Sequence, residues 1–270
     1  MLIYLSKKQV SPLDTALLRG YGVYEYLRTY GEAPFRLEEH LDRLERSCAL
    51  MQLEIPCSRD LMRETILKYS LKGSESSIKI FVGGGEAADD LVPDGEAMMF
   101  VSITPLVPFD RVYYEKGIKL LTYVHERPFP LCKSSNYVAA ILASRLAKKE
   151  GALEPLFISP QGKVLETARS NVFFVKGDEV FTPKEGVLKG ITRQVILEVY
   201  PVIEREIDLH ETWDEAFITS SNKEVMPVVQ IDHRVLGKGE VGKITKKIST
   251  FFSETTTHKK RPHLLATADF

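Results

Sequence analysis

The nine residues Gly22–Tyr30, rich in Tyr, Val and Leu, read as a strand, and shortly afterwards Leu37, Leu41, Leu44, Cys48 and Met51 recur at helical spacing. A strand-like run followed by a helix with one apolar face restricts the chain to folds that mix sheet and helix. The alternation continues. Leu2–Leu5, Ile78–Val82 and Met98–Thr104 have strand length, and Arg59–Ser70 predicts a second helix with Leu61, Ile66 and Leu67 inside. Pro105 and Pro108 punctuate the chain and set an expected domain boundary near residue 108. Beyond it, Ile118–Val124 predicts a strand and Asn136–Glu150 a helix. Leu156–Ser159, Val164–Leu165, Val172–Val175 and Val180–Thr182 form an expected meander. Helices are expected at Thr192–Tyr200, near Glu211–Trp213 and at Val241–Phe252. The expected fold is α/β (α+β), with a small domain over 1–108, a larger one over 109–253 and a loose tail over 254–270.

Lys and Arg total 36 against 37 Asp and Glu, so no basic field invites nucleic acid or an anionic membrane. No apolar run approaches the ~20 residues that span a bilayer. The start, MLIYLSKKQV, lacks the basic n-region of a signal peptide. Cys48, Cys57 and Cys132 lack the paired spacing of a zinc site or a disulfide framework. A soluble cytoplasmic protein without a metal, nucleic-acid or membrane partner is the expectation.

Several residues could carry chemistry, and each also has a plainer reading. Lys133, in LCKSSNYVAAILA, precedes an apolar helix, where burial would favour a nucleophilic amine suited to a Schiff base; solvated lysines are the rule. Glu166 follows Val164–Leu165 and could hold a heterocyclic nitrogen protonated, or simply end a strand facing water. LKGITR, residues 188–193, reads as a loop entering a helix, whose free N–H groups and dipole suit a phosphate. Ser220 and Ser221 could add hydroxyls to the same anion or end a strand. Arg43 could grip phosphate through two N–H groups or sit on the outer face of its helix. Tyr24 could face a core or a cleft.

Read in order, GVYEYLRTYG, FRLEEHLDRL, KSSNY, LETARSNVF, LKGITR, ITSSNKEVMPV and QID resemble the class IV family of pyridoxal-phosphate enzymes, from about residue 18 to about residue 250. That family includes branched-chain aminotransferases, D-amino-acid aminotransferases and aminodeoxychorismate lyases. The resemblance implies two domains, pyridoxal 5′-phosphate (PLP) in the cleft between them, and a homodimer. It implies that Lys133 is the Schiff-base lysine and Glu166 the partner of the pyridine nitrogen. Arg43, the backbone N–H groups of Ile191 and Thr192, and the Ser221 hydroxyl fall on the phosphate contacts, and Tyr24 on an aromatic near the substrate.

The departures bear on substrate. Ala88 and Asp90 stand where D-amino-acid aminotransferases place an Arg/His pair for the substrate carboxylate. KSSNY is one residue shorter than the branched-chain spacing, and GGGEAADD lacks the arginine that lyases often carry, so no single branch matches throughout. The leading expectation is an aminotransferase acting on a small amino acid and a 2-oxo acid. A lyase releasing pyruvate and 4-aminobenzoate from aminodeoxychorismate is the alternative, and a non-catalytic binder on the same fold the second. The backbone at Ser221–Asn222, then Arg28 on the same strand face as Tyr24, then Lys79 are the candidates for the substrate carboxylate. Asp90, if turned into the cleft, would repel a second carboxylate, giving an expected preference for monocarboxylates with an apolar or aromatic side chain.

Overall fold

The computed structural model describes residues 1–7 and 10–258. The first part of the chain runs β1 (Leu2–Tyr4), α1 (Thr15–Arg19), β2 (Gly22–Tyr30), β3 (Ala33–Pro34), α2 (Leu37–Leu50), α3 (Arg59–Tyr69), β4 (Ser76–Gly83) and β5 (Met98–Pro105). Its strands make one antiparallel sheet in the order β1-β5-β4-β2-β3. Alternation along β2 is the organising feature. Val23 and Leu27 pack with Leu41, Leu44 and Cys48 of α2, while Tyr24, Tyr26, Arg28 and Tyr30 occupy the other face. In α3 the Ser58 side chain accepts from the Leu61 N–H and caps the start. Its buried residues are Met62, Thr65 and Ile66. Leu61 and Leu67, expected inside, are exposed, because the buried stripe lies one position away from them.

The second part runs α4 (Val112–Lys116), β6 (Ile118–Val124), α5 (Val138–Lys149), β7 (Glu154–Ile158), β8 (Val164–Thr167), β9 (Asn171–Lys176), β10 (Glu179–Pro183), α6 (Ile191–Val199), β11 (Val202–Arg205), β12 (Glu215–Ser220), β13 (Glu224–Ile231), β14 (Arg234–Val235) and α7 (Lys243–His258). These strands form a mixed sheet in the order β11-β10-β9-β12-β13-β6-β7-β8, with β14 paired to β13. One face buries a core around Phe174, Ile218, Met226 and Trp213, and the other packs Phe173, Phe217 and Val225 against α6 and α7.

Three expectations need correction. The expected meander is interrupted: β7 pairs with β8 and β9 with β10, but β8 stands at one end of the sheet while β9 pairs with β10 and β12. Glu211–Trp213 is not helical, because the Glu211 carboxylate accepts the Asp208 N–H at 2.8 Å and two N–H groups of Arg205, while Trp213 turns inward against Phe174 and Phe181. The expected loose tail is helical over 254–258, where α7 continues past the buried Phe252; the remainder, 259–270, lies outside the described residues. Among the described residues no helix is long and apolar enough to cross a membrane, and no cluster of three or more His, Cys, Asp or Glu could hold a metal ion.

Candidate active site

The two sheets meet at a cavity of about 310 Å³. Tyr24 and Tyr26 reach it from β2, Arg43 from α2, and Lys133 and Tyr137 from the segment entering α5. Glu166 and Asn171 come from β8 and β9, Ile191 and Thr192 from the first turn of α6, and Ser221 and Asn222 from the turn between β12 and β13.

Lys133 is held by its backbone. Its N–H donates to the Ser47 hydroxyl at 3.2 Å and its carbonyl accepts the Tyr24 N–H at 3.0 Å. The Nζ lies 3.4 Å from the Tyr24 hydroxyl, which donates to Tyr137 Oη at 2.5 Å. Burial lowers the pKa of this amine, against the pull of the Tyr137 and Glu25 oxygens and with help from the Arg43 and Arg127 cations. The result is an amine that loses its proton more readily than a solvated lysine, as a nucleophile requires.

Glu166 is 6% exposed. One oxygen accepts from Arg127; the other accepts the Leu188 N–H at 3.1 Å and Asn171 Nδ2 at 3.3 Å. Burial raises its pKa, and the Arg127 charge partly offsets that. Asn171 also donates to the Leu188 carbonyl at 2.8 Å, so one amide ties this carboxylate to the loop before α6.

Arg43 does not sit on an outer helix face. It is buried, with Nε and Nη2 donating to the two Glu25 oxygens at 2.7 and 2.8 Å, and Nη1 donating to the Lys189 carbonyl at 3.3 Å. His40 Nδ1 lies 2.8 Å from the same carboxylate. Burial alone would raise the Glu25 pKa; the Arg43 charge and the hydrogen bonds from Arg43 and His40 outweigh it and hold the carboxyl well below the usual range.

Pyridoxal phosphate presents a dianion, a pyridine nitrogen and an aldehyde, and the cavity can be tested against each. Among the described residues no side chain caps α6, and its first turn, which has no internal partner for its N–H groups, lines the cavity wall. The Thr219 hydroxyl and Asn222 Oδ1, both at the cavity, are buried without a hydrogen-bond partner among the described residues. Gly190 is required where it is, since a Cβ there would fall 2.1 Å from Asn171 Oδ1. Among the cations, Lys223 and Arg169 share Glu154 at 2.7 and 3.2 Å, while no ion pair engages Lys79 or Lys133 among the described residues. A surplus of positive charge, a lysine and a buried carboxylate in one cavity fit the three parts of the cofactor.

One candidate contact is absent, and one conditional repulsion does not arise. Arg28 does not line the cavity; its guanidinium is taken up by Glu75 and Glu224 and lies 4.4 Å from the Tyr30 ring. Asp90 is exposed and paired with Arg19 at 2.6 Å, so it repels nothing inside the cavity. Ala88 is also outside it. Conversely, Arg127, Tyr137, Asn171, Thr219 and Lys223 line the cavity without having been singled out from sequence. Tyr137 lies inside the KSSNY motif, Asn171 inside LETARSNVF, and Thr219 and Lys223 inside ITSSNKEVMPV, whereas Arg127 lies outside every one of these motifs.

The model of the Amino-transferase class IV family matches residues 22–231. A Methanocaldococcus jannaschii protein, provisionally named a branched-chain-amino-acid aminotransferase, is 33% identical over 95% of this chain and 97% of its own. The aminodeoxychorismate lyase of Bacillus subtilis is 28% identical over 93% of this chain and 92% of its own. In three dimensions the chain is similar to a T.th. branched-chain amino acid aminotransferase solved with pyridoxamine 5′-phosphate. That match has a TM-score of 0.86 at 26% identity, over 97% of this chain and 95% of that one. Fold and cavity together define a pyridoxal-phosphate-dependent enzyme. The chain belongs to the class IV aminotransferase family and is an aminotransferase.

Proposed function

We propose that this enzyme moves an amino group between a small amino acid and a 2-oxo acid, with Lys133 as the covalent attachment point and proton carrier. The observation that carries this reading is the convergence of the Lys133 amine, the buried Glu166 carboxylate and the uncapped start of α6 on one cavity. When bound, PLP supplies an aldehyde that condenses with amines and a ring that accepts an electron pair. Arg43, the Ile191 and Thr192 N–H groups and the Ser221 hydroxyl hold its phosphate, and Glu166 holds the proton on its ring nitrogen. Lys133 takes up and returns a proton at Nζ, and the Tyr24 hydroxyl beside it orients that amine. Tyr24 and Asn222 wall the substrate.

Asp90 being outside the cavity removes the argument against a second carboxylate. Lys79, which lines the cavity with no carboxylate partner among the described residues, supports a dicarboxylate such as 2-oxoglutarate as one of the two partners. We further propose that residues 1–108 and 109–253 act as the two domains and that the protein is a cytoplasmic homodimer. The exposed Val138, Ile141 and Leu142 on α5 supply an apolar face for a second copy. Light scattering after gel filtration tests the dimer.

The test of function is a panel on purified, PLP-loaded protein: L-Leu, L-Phe, D-Ala and D-Glu, each with 2-oxoglutarate and with pyruvate, and aminodeoxychorismate alone. Transfer to a 2-oxo acid from at least one amino acid is expected. Pyruvate and 4-aminobenzoate from aminodeoxychorismate, with no transfer from any amino acid, would reassign the enzyme as the lyase.

A further inference from the structure

Lys223 and Glu224 are neighbours in sequence, yet their side chains are anchored in different sheets. The buried Lys223 ammonium donates to Glu154 of β7 at 2.7 Å and to the Ser170 hydroxyl at 3.2 Å. Glu224 Oε1 accepts from Arg28 Nη1 at 2.9 Å and from the Tyr30 hydroxyl at 2.9 Å, both on β2 of the other sheet. The divergence is made by the backbone: Glu224 has φ 55°, a left-handed conformation that residues with a Cβ seldom adopt and that persists only where the surroundings impose it. Immediately before this pair, the Lys223 N–H closes a turn onto the Ser220 carbonyl at 3.2 Å and the Ser220 hydroxyl at 3.3 Å. That turn carries Ser221 and Asn222 on the cavity wall.

The opposite wall belongs to the same strand that holds Glu224. Tyr24 and Tyr26 line the cavity, and Arg28 and Tyr30 continue along the same face of β2 towards Glu224. Arg28 is itself fixed on the far side by Glu75. One arginine between two carboxylates leaves the cluster with a net negative charge, which suits a structural tie and disfavours an incoming carboxylate.

We propose that Arg28, Tyr30 and Glu224 form a strut between the two sheets that sets the position of the Ser221–Asn222 turn relative to the Tyr24–Tyr26 wall, making all three positioning residues for the substrate carboxylate. This rests on the reading that the turn faces the substrate. The phosphate keeps its independent holders on α2 and α6, so the strut controls substrate affinity far more than cofactor affinity. A shift of about 1 Å in a positioning element can cost up to about 100-fold in efficiency.

The experiment compares Glu224→Ala, Glu224→Gly, Glu224→Gln and Tyr30→Phe in the PLP-loaded enzyme. Glu224→Ala is expected to raise KM for both substrates about tenfold or more, with kcat and the cofactor Kd within about threefold. Glu224→Gly relieves the left-handed backbone and should melt higher than Glu224→Ala, yet keep the same raised KM. Glu224→Gln keeps an acceptor for Arg28 and Tyr30 and should restore most of the wild-type KM, and Tyr30→Phe should fall between. Hydrogen–deuterium exchange of the full chain supplies a readout that needs no turnover. In Glu224→Ala, amides at 221–223 should exchange faster while those at 191–193 do not. Unchanged exchange at 221–223, or a KM that tracks melting temperature across the series, would overturn the strut. Wild-type protein inactive on the whole substrate panel would instead overturn the functional reading, and the exchange result would still decide the strut.

Discussion

The Lys133 amine lies 3.4 Å from the Tyr24 hydroxyl, at the open end of a tyrosine pair in which Tyr24 donates to Tyr137 at 2.5 Å. The amine with the strongest claim to covalent chemistry is therefore oriented by a phenol that is itself held. Tyr24→Phe keeps the ring and removes the oriented oxygen. Turnover should fall about 2- to 10-fold, the worth of one hydrogen bond, with cofactor affinity little changed. Steady-state kinetics at saturating PLP check this; an unchanged kcat would show that the hydroxyl does not act on Lys133.

Among the described residues three lysines line the cavity: Lys79, Lys133 and Lys223. Lys223 is engaged by Glu154, and Lys79 lies on the exposed side. Borohydride reduction of the PLP-loaded protein followed by peptide mapping should place the pyridoxyl group on Lys133, and Lys133→Ala should lose both the label and turnover. A label on Lys79 or Lys223 in the wild type would overturn the assignment.

Glu166→Gln replaces a buried carboxylate that accepts from Arg127, Asn171 and the Leu188 N–H. The amide has one acceptor oxygen and cannot hold a pyridine nitrogen protonated. The variant should fold and bind PLP but lose about 100-fold or more in turnover, the scale of a missing proton-holding group. Near wild-type kcat would remove Glu166 from that role.

The phase of α2 was readable because Leu41, Leu44 and Cys48 all bury on one side of a long helix. In α3 the same reading placed Ile66 correctly but put Leu61 and Leu67 inside in place of Met62 and Thr65. Leu61 and Leu67 are as apolar as Met62, and only the packed neighbours decide which of them turns inward. That Arg43, Lys133, Glu166, Ile191, Thr192 and Ser221 share one cavity was legible through their order along the chain, whereas the partners of the buried charges were not. Even spacing correctly placed Arg28 on the face of Tyr24, but four strand residues carry it about 13 Å further along. There it meets Glu75 and Glu224, 47 and 196 positions away in sequence. Charge partners so distant leave no local periodicity to read, and the same holds for the Arg43–Glu25 and Lys223–Glu154 pairs.

Stability should depend on pH through the buried His40–Glu25–Arg43 group. Burial holds His40 below its ordinary pKa of 6.5, against the attraction of Glu25. As pH falls below about 6.5, the unfolded chain takes up a proton on this histidine before the folded one does, so stability falls with acid by at most about 1.4 kcal/mol per pH unit. Glu25 is displaced the same way: its folded pKa lies below the unfolded value near 4.5, so the stability it contributes is complete above that value and lost as pH drops through the folded one. Urea unfolding from pH 7.5 down to 4 should show a declining midpoint in two stages. His40→Asn should flatten the stage between pH 6.5 and 5 and leave the lower one. A wild-type midpoint that stays level from pH 7.5 to 5 would show that His40 is not held neutral.

Arg43 has two duties that one substitution confounds and a pair of substitutions separates. Its Nε and Nη2 answer the buried Glu25 carboxylate at 2.7 and 2.8 Å, and the side chain also lines the cavity beside the start of α6. Arg43→Ala leaves Glu25 buried without its main counter-charge, an imbalance that typically destabilises by about 3–5 kcal/mol. It also removes a charge-assisted donor to the phosphate, worth about 1.5–3 kcal/mol, or roughly 10- to 150-fold in affinity. The α6 N–H groups and Ser221 remain, so binding weakens without vanishing. Glu25→Gln added to Arg43→Ala discharges the stranded carboxylate and should recover much of the lost melting temperature. It adds no donor for the phosphate, so the PLP dissociation constant should stay raised. Differential scanning fluorimetry of the apo proteins and fluorescence titration with PLP give the two quantities independently. If the double variant regains wild-type PLP affinity together with stability, Arg43 acts on the cofactor only by keeping Glu25 and the cavity wall in place.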